Sequence, residues 1–412
     1  MPTFSQRGLQ MPFSPIRKLS PLAVEAEKRG VKIYHLNIGQ PDLPTPKKAL
    51  DAIRNIDRTI LEYSPSQGFR SLRERLAGYY KRFGISLSPD EIIITSGGSE
   101  AVLFAFLACL NPGDEIVVPE PAYANYMAFA VSTGAVIRTV TSRIEDGFAL
   151  PPIEDIEAQI GPKTKALLIC NPNNPTGYIY TPEEMEKIRR IVLKHDLYLF
   201  SDEVYREFDF SGQPYVSVLH LEGLRHNAVL IDSVSKRYSE CGIRIGAIVT
   251  RNRQLREVIM KLCQARLSPP LIGQIAAEAS IDGTEEYSEA VFKEYKARRD
   301  FFMKELNSIP GVYSPVPQGA FYTVASLPVA DAEDFCRWCL SEFAYADGGV
   351  TGCGKDGKPY VAETVMMAPA SGFYSTEGIG RNQVRLAYVL NRDDLGRALT
   401  VLRAALEAYN SR

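Results

Sequence analysis

The sequence has few histidines, and it has almost no excess of charge of either sign. Its four histidines share no metal-ligand spacing, so we expect no metal centre. Forty-seven lysines and arginines stand against forty-nine aspartates and glutamates, and no basic stripe with interleaved aromatic residues occurs. A nucleic-acid or membrane-surface role therefore has no electrostatic support, and the expected partner is a small molecule.

Long apolar runs and a cysteine framework are also missing. The longest apolar run, 101–110, is too short to span a bilayer, and the first residues lack the apolar stretch of a secretion signal. The seven cysteines are odd in number and scattered along the chain, which fits reduced thiols better than disulfides. These features predict a cytoplasmic protein.

A chain of 412 residues exceeds what one hydrophobic core usually organises, so we expect two domains. Short apolar runs alternate with helix-patterned stretches in the middle of the chain, which is typical of βαβ units around a mostly parallel sheet. We assign 47–290 to a large domain holding this α/β sheet, and 1–46 with 291–412 to a smaller α+β domain. The predicted strands are 91–95, 115–118, 165–170, 197–201, 228–232 and 245–250.

One crossover carries a clear helix start. Thr181 is a candidate N-cap, Pro182 suits the first helical position, and Glu184 completes a capping box. The pattern predicts a helix that begins there and ends near Lys194.

Ligands of open α/β sheets bind beyond the carboxyl ends of the strands, and polar residues follow four of the predicted strands. Gly98 and Ser99 come after strand 91–95 and open a helix whose free N–H groups and dipole would hold a phosphate. Taken alone, the segment equally suits a tight turn in which Ser99 caps the helix. After strand 165–170, the loop 171–177 is rigid enough to direct Asn174 into a cleft, or it is an ordinary Asn/Pro turn.

Two further strand ends carry ionisable groups. Asp202 follows an apolar strand, so it should be at least partly buried and should need a partner. That partner is either a cation in a structural ion pair or the protonated ring nitrogen of a pyridinium cofactor. Lys236 follows strand 228–232 among small residues, where an amine can form a Schiff base, although a lone lysine there is more often a surface residue. The order of Asn174, Asp202, Tyr205 and Lys236 favours the cofactor.

With these segments the chain resembles, over almost its whole length, the class I/II aminotransferases, which are fold type I enzymes that use pyridoxal 5'-phosphate (PLP). The matching segments are 37–42, Tyr63 with 68–73, 97–101, 174–177, 201–205, 233–236 with Arg244, and 384–386.

The resemblance implies a role for each candidate residue. Lys236 would carry PLP and move the substrate proton, and Asp202 would pair with the pyridine nitrogen. Asn174 and Tyr205 would hydrogen-bond the phenolic oxygen of the cofactor, and Tyr123 would stack on its ring. The remaining groups are those expected to bind phosphate, namely Gly98, Ser99, Ser233, Ser235, Arg244 and Tyr63 of the partner subunit, and those expected to bind the substrate carboxylate, namely Arg385, Asn174 and Gly39.

The implied reaction moves an amino group between an L-amino acid and a 2-oxo acid by a ping-pong mechanism, in a homodimer with shared active sites. A PLP-dependent C–S lyase or decarboxylase on the same fold remains an alternative, because the same residues serve those reactions. Arg266 lies in a segment expected to extend toward the neighbouring site, where it would bind the side chain of aspartate or glutamate. The alternative for Arg266 is an ion pair at the dimer interface.

Overall fold

Helices and strands alternate along the chain in the computed structural model, which describes residues 2–283 and 285–412. The helices are α1 (Gln6–Gln10), α2 (Ser20–Lys28), α3 (Lys47–Arg54), α4 (Arg70–Lys81), α5 (Gly97–Cys109), α6 (Asn125–Thr133), α7 (Ile153–Ala158), α8 (Pro182–His195), α9 (Val234–Arg237), α10 (Arg253–Arg266), α11 (Leu271–Ile281), α12 (Glu285–Leu306), α13 (Ala332–Ser341) and α14 (Arg392–Asn410). The strands are β1 (Val31–His35), β2 (Ile92–Thr95), β3 (Glu115–Glu120), β4 (Val136–Thr141), β5 (Thr164–Cys170), β6 (Tyr198–Asp202), β7 (Ala228–Ser233), β8 (Gly246–Val249), β9 (Tyr322–Ser326), β10 (Ala362–Met366), β11 (Ala368–Pro369) and β12 (Gln383–Ala387).

The central sheet has the strand order β2-β8-β7-β6-β5-β3-β4. β8 is antiparallel to both of its neighbours, and the other pairs are parallel. The predicted mostly parallel α/β sheet is therefore confirmed, and each predicted strand is present. β4 was not predicted, because this edge strand is only partly buried and lacks the continuous apolar run of its neighbours.

Apolar side chains cover both faces of this sheet. Successive residues of a strand point to opposite faces, so Ile94 packs into the apolar layer on one face and Ile93 into the layer on the other. Helices α4 and α8 supply side chains to the layer that contains Ile94, and α5 and α10 supply side chains to the layer that contains Ile93. Burial on both faces explains why these strands read as unbroken apolar runs.

Helix α8 begins where the capping box predicts. The hydroxyl of Thr181 accepts a hydrogen bond from the backbone N–H of Glu184 at 3.2 Å, and the Glu184 carboxylate accepts one from the N–H of Thr181 at 2.7 Å. Pro182 occupies the first helical position, and Asp196, with a φ of 49°, follows the last helical residue. The crossover between β5 and β6 is thus helical, as expected.

A second core joins the two ends of the chain. β1 pairs with β10, and β9, β11 and β12 form an antiparallel sheet. Their side chains pack with those of α2, α12, α13 and α14 into one apolar cluster that runs from Leu19 to Leu406. The boundaries at 46/47 and 290/291 stay predictions; the second of them falls within α12.

Several features are absent from the part of the chain that the structure describes. No helix there is both long enough and apolar enough to cross a membrane. No group of three or more His, Cys, Asp or Glu side chains there is arranged to hold a metal ion. The seven cysteines are free thiols, and only Cys353 is exposed.

The topology brings the predicted site residues to one edge of the sheet. β5, β6 and β7 are parallel neighbours, so their carboxyl ends lie together and carry Asn174, Asp202 and Lys236. β8 runs the other way, so it begins at this edge, and Arg244 lies just before it. β12 of the second core contributes Arg385 from the opposite side.

Candidate active site

A cavity of about 670 Å³ lies at this edge of the sheet, a volume typical of small-molecule sites. Most of the predicted site residues line it, namely Gly39, Gly98, Ser99, Tyr123, Asn174, Asp202, Tyr205, Ser233, Ser235, Lys236, Arg244 and Arg385. Tyr63 and Arg266 are not among the described residues that line it.

Lys236 reaches the cavity from the short helix α9. Ser233 ends β7 and caps α9, since its hydroxyl accepts the N–H of Ser235 at 3.2 Å. The Lys236 amine donates a hydrogen bond to the carbonyl of Gly39 at 2.9 Å and lies 3.8 Å from the sulfur of Cys241. The amine is therefore held between the sheet edge and the N-terminal segment.

Asp202 is buried, as expected, and it faces the cavity. Its carboxylate accepts hydrogen bonds from the Tyr126 hydroxyl at 2.7 Å and from the N–H of Val204 at 3.4 Å. Burial raises the pKa of Asp202 to about 6, although the Tyr126 hydrogen bond opposes the rise. No lysine or arginine in residues 2–283 or 285–412 pairs with it, whereas Glu203 pairs with Arg206 at 3.2 Å. The structural ion pair thus belongs to Glu203, and Asp202 is open to a cation from a ligand.

Helix α5 presents free backbone N–H groups to the same cavity. The helix begins at Gly97, and its N-cap residue Ser96 makes no side-chain cap. The interpretation of Ser99 as the N-cap is therefore wrong, because Ser99 lies within the first turn. The first-turn N–H groups, including those of Gly98 and Ser99, have no acceptor within the helix and suit an anion.

Arg244 adds a positive charge to this anion site. Its backbone is left-handed, with a φ of 57°, and its guanidinium donates to the Cys241 carbonyl at 3.0 Å. Gly97 has a φ of 76°, and a Cβ there would collide with the Arg244 guanidinium. The glycine therefore allows the arginine to approach the helix, while the hydroxyls of Ser233 and Ser235 complete the site from α9.

Arg385 is 1% exposed, yet it has no carboxylate partner in the described chain. It donates to the Asn174 side-chain oxygen at 3.3 Å and to the carbonyl of Asn37, and its Nε atom has no hydrogen-bond partner. Burial lowers the pKa of this guanidinium. The guanidinium lies over the Tyr322 ring, 4.6 Å from the ring centroid. A buried charge in this state favours a ligand carboxylate as its counter-ion.

A hydrogen-bond chain connects the two halves of the site. The Asn174 amide donates to the Tyr205 hydroxyl at 3.3 Å, and the Tyr205 and Tyr322 hydroxyls are 3.1 Å apart. The Tyr322 hydroxyl in turn donates to the Gly39 carbonyl at 3.3 Å. Asn174 therefore contacts both Tyr205 and Arg385, which supports its position in both predicted sets.

Several residues of the site were not predicted from the sequence. Tyr126 binds Asp202 from the first turn of α6, and its spacing of three residues from Tyr123 on a helical pattern was an available signal. Tyr322, Cys241 and Arg17 also line the cavity. For Tyr322 and Arg17 the neighbouring sequence gives no sign of this, because tertiary packing brings them there, whereas Cys241 lies five positions after Lys236.

Tyr63 and Arg266 lie elsewhere. The Tyr63 side chain is 76% exposed, and its contact with the partner subunit stays a prediction. Arg266 forms an ion pair with Glu100 and donates to the carbonyl of Ser66 at 2.8 Å. Its guanidinium thus has partners within its own chain, and its predicted contact with substrate stays a prediction.

Comparison with known proteins gives the family. The model of the family described as aminotransferase class I and II matches residues 31–357. The chain belongs to this family. The aspartate aminotransferase of Geobacillus stearothermophilus is 31% identical over 389 residues, which is 94% of each chain. Among solved structures, the Thermotoga maritima aspartate aminotransferase has a TM-score of 0.86 and 28% identity, covering 98% of this chain and all of that one.

An alanine aminotransferase from Pyrococcus furiosus is equally similar, with a TM-score of 0.87 and 29% identity over 98% of this chain and 100% of that one. These findings confirm the predicted fold type I architecture. The protein is thus a PLP-dependent aminotransferase, and its substrates are small molecules, namely amino acids and 2-oxo acids. The lyase alternative is not favoured.

The cavity fits PLP in three respects. The N–H groups of α5, with Arg244, form an anion site that suits a phosphate. Asp202 is a buried carboxylate that lacks a cation, which suits the protonated pyridine nitrogen. Lys236, which carries a primary amine, lines the same space as both.

Proposed function

We propose that this aminotransferase binds PLP through Lys236, Asp202 and the anion site, and that it binds the α-carboxylate of its amino-acid donor through Arg385. The observation that carries the proposal is the state of Arg385, which is buried, is without a carboxylate partner among the described residues, and lies in the same cavity as Lys236. Every amino acid and 2-oxo acid carries a carboxylate next to its α-carbon, and this carboxylate can form a bidentate ion pair with a guanidinium in this state.

PLP, when bound, supplies an electron sink that stabilises negative charge at the substrate α-carbon. Lys236 holds the cofactor through its Nζ atom and afterwards moves a proton at that atom as a general acid and base. Asp202 keeps the pyridine nitrogen protonated, because a charged carboxylate stabilises the neighbouring cation. Tyr126 holds Asp202 in place by its hydrogen bond.

Other side chains orient the reactants. Asn174 donates from its amide nitrogen on the cofactor side, and its oxygen accepts from Arg385 on the substrate side. The Tyr205 hydroxyl would hydrogen-bond the phenolic oxygen of the cofactor, and Tyr123 would stack on its ring, since both side chains line the cavity. Gly39 contributes its backbone to the carboxylate site. Orientation of this kind fixes the α-carbon hydrogen next to Lys236.

The donor and the acceptor use the cavity in turn, so the mechanism is ping-pong. The first amino acid leaves as a 2-oxo acid before the second 2-oxo acid binds Arg385. Aspartate or glutamate is the donor, and 2-oxoglutarate or oxaloacetate is the acceptor. Relatives named aspartate aminotransferase support this choice. Because an alanine aminotransferase is equally similar, the residues that contact the substrate side chain must decide which donor is used.

The functional unit is a homodimer with shared sites, in which Tyr63 of the partner subunit binds the cofactor phosphate. The exposed side chains of Ile60, Leu61 and Tyr63 support this assembly, because a group of exposed apolar side chains favours an intermolecular contact. Seven free thiols favour a reducing compartment, and the enzyme works in the cytoplasm.

The experiment uses PLP-loaded enzyme and a panel of amino acids, with and without a 2-oxo acid acceptor. We expect amino transfer that needs the acceptor, and an Arg385→Lys variant with a KM raised at least 10-fold for every donor. Arg381→Lys is the matched control, since the Arg381 side chain is 69% exposed. Release of pyruvate and ammonia without an acceptor would instead identify a lyase, and an unchanged KM in Arg385→Lys would remove Arg385 from the carboxylate site.

A further inference from the structure

The cavity carries more positive charge than the proposed function uses. Four cationic side chains line it within the described chain, namely Arg17, Lys236, Arg244 and Arg385, against the single carboxylate of Asp202. Lys236 holds the cofactor, Arg244 faces the phosphate and Arg385 receives the α-carboxylate. Arg17 therefore remains without an assigned anion.

Arg17 is also unpaired within its own chain. It lies in the turn between α1 and α2, where its backbone N–H donates to the Ser14 carbonyl at 3.1 Å. Its guanidinium makes no hydrogen bond or ion pair with any residue of 2–283 or 285–412, whereas the next residue, Lys18, pairs with Glu333. Of these two consecutive cations, Lys18 is thus paired with a carboxylate of its own chain, and Arg17 faces the cavity.

The turn that carries Arg17 is fixed to the carboxylate site. The side chain of Asn37 donates to the carbonyl of Ile16 at 2.9 Å, and the backbone carbonyl of the same asparagine accepts a hydrogen bond from Arg385. Asn37 is 2% exposed, so this link is protected from water. One buried residue therefore sets the position of both arginines relative to each other.

The charge of Arg17 acts on the inner wall of the cavity. Burial raises the pKa of Tyr123 to about 12, and the guanidinium groups of Arg385 and Arg17 both oppose that rise. The two arginines thus lie near one tyrosine that also lines the cavity.

We propose that Arg17 binds the distal carboxylate of a dicarboxylic substrate, while Arg385 binds its α-carboxylate. This proposal rests on the proposed function and names the residue that selects its dicarboxylic substrates, with aspartate or glutamate as donor and the corresponding 2-oxo acid as acceptor. Two guanidinium groups with no carboxylate of their own match the two carboxylates of such a molecule. Arg17 takes the role that the sequence suggested for Arg266.

The first test compares donors in the PLP-loaded enzyme. Arg17→Gln should lower kcat/KM for aspartate and glutamate by about 10-fold to 100-fold, the range for loss of a charged hydrogen bond. The values for alanine and phenylalanine should stay within about twofold of wild type. Arg17→Lys should restore part of the activity on acidic donors, because it keeps the charge and loses the bidentate geometry. Lys18→Gln is the matched control, and it should leave the donor preference unchanged.

The second test measures binding without turnover. Glutarate and pentanoate have equal chain lengths and differ by one carboxylate, so the ratio of their Kd values reports the distal contact alone. Wild type should bind glutarate more tightly, and Arg17→Gln should bind the two with similar Kd values.

Equal losses for all donors in Arg17→Gln, or a wild type without preference for glutarate, would overturn the proposal. Failure of the proposed function has another signature, namely no amino transfer from any donor. In that case the glutarate-to-pentanoate ratio still decides the role of Arg17.

Discussion

Arg237 forms a bidentate ion pair with Asp232, with nitrogen-to-oxygen distances of 2.8 and 3.1 Å. Both side chains are 2% exposed, and Asp232 also accepts the Tyr80 hydroxyl at 2.6 Å. Arg237 directly follows Lys236, so the pair joins the end of α9 to β7 and fixes the lysine between them.

Breaking this pair should destabilise the protein. Removal of one partner leaves a buried charge without compensation, so Arg237→Ala should lower the free energy of unfolding by about 3–5 kcal/mol. Denaturant unfolding of the cofactor-free protein measures the change. Arg190→Ala is the control, because its side chain is 74% exposed and it should change stability by less than about 1 kcal/mol. A loss of that small size in Arg237→Ala would contradict the prediction.

Lys236→Ala should abolish both turnover and covalent attachment of PLP. Of the cationic residues in the described chain that line the cavity, Lys236 is the one with a primary amine, so the cavity offers no second attachment point there. Borohydride reduction followed by peptide mapping tests this. Labelled cofactor on another lysine of the variant would refute the assignment.

Asp202 should make the stability of the cofactor-free protein depend on pH. Its pKa is about 6 in the folded chain against an ordinary value of 3.8, so the folded state binds more protons between these values. Stability should fall as pH rises through this window, by about 3 kcal/mol at most, and level off above it. Asp202→Asn lacks the group, so its Tm relative to wild type should rise from about pH 4 to about pH 7. A constant Tm difference would contradict the raised pKa.

Arg266→Ala should reduce activity equally for all donors. Its guanidinium is occupied by Glu100 and by the Ser66 carbonyl, so the change removes support between α10 and α5 rather than a substrate contact. Measuring kcat/KM for aspartate and alanine separates the two roles. A loss confined to aspartate would return Arg266 to the substrate site.

Shared active sites predict complementation between two inactive variants. Tyr63→Ala and Lys236→Ala subunits, mixed and reassembled, should form hybrids in which one site has both Tyr63 and Lys236 intact. Activity of the mixture should then exceed that of either parent. If hybrids form, as native mass spectrometry would reveal, and activity does not rise, the sites are not shared.

The sequence was informative where a feature depends on local pattern. Six of the seven strands of the central sheet could be predicted from their apolar runs, with β4 as the exception, and the capping box located the start of α8. Ligands of open α/β sheets bind beyond the carboxyl ends of the strands, and this rule predicted that Asn174, Asp202 and Lys236 share one site. They line one cavity, because parallel strands place their carboxyl ends side by side.

What the sequence could not indicate arises from packing between distant segments. Tyr322 and Arg17 reach the cavity only because the second core packs segments from both ends of the chain next to the sheet. The ion pair of Arg266 could not be predicted for the same reason, since its partner Glu100 lies 166 positions away. Neither an ion pair nor its absence can be read from one local stretch of residues.

The two halves of the cavity differ in how far apart their residues lie in the chain. The hydrogen bond from Ser233 to the Ile245 carbonyl joins residues 12 positions apart, whereas that from Arg385 to Asn37 joins residues 348 positions apart. Closing the longer loop costs about 3 kcal/mol more in chain entropy. Contacts with short loops form first during folding. A refolding chain should therefore acquire affinity for phosphate before it can distinguish an amino acid from other small molecules.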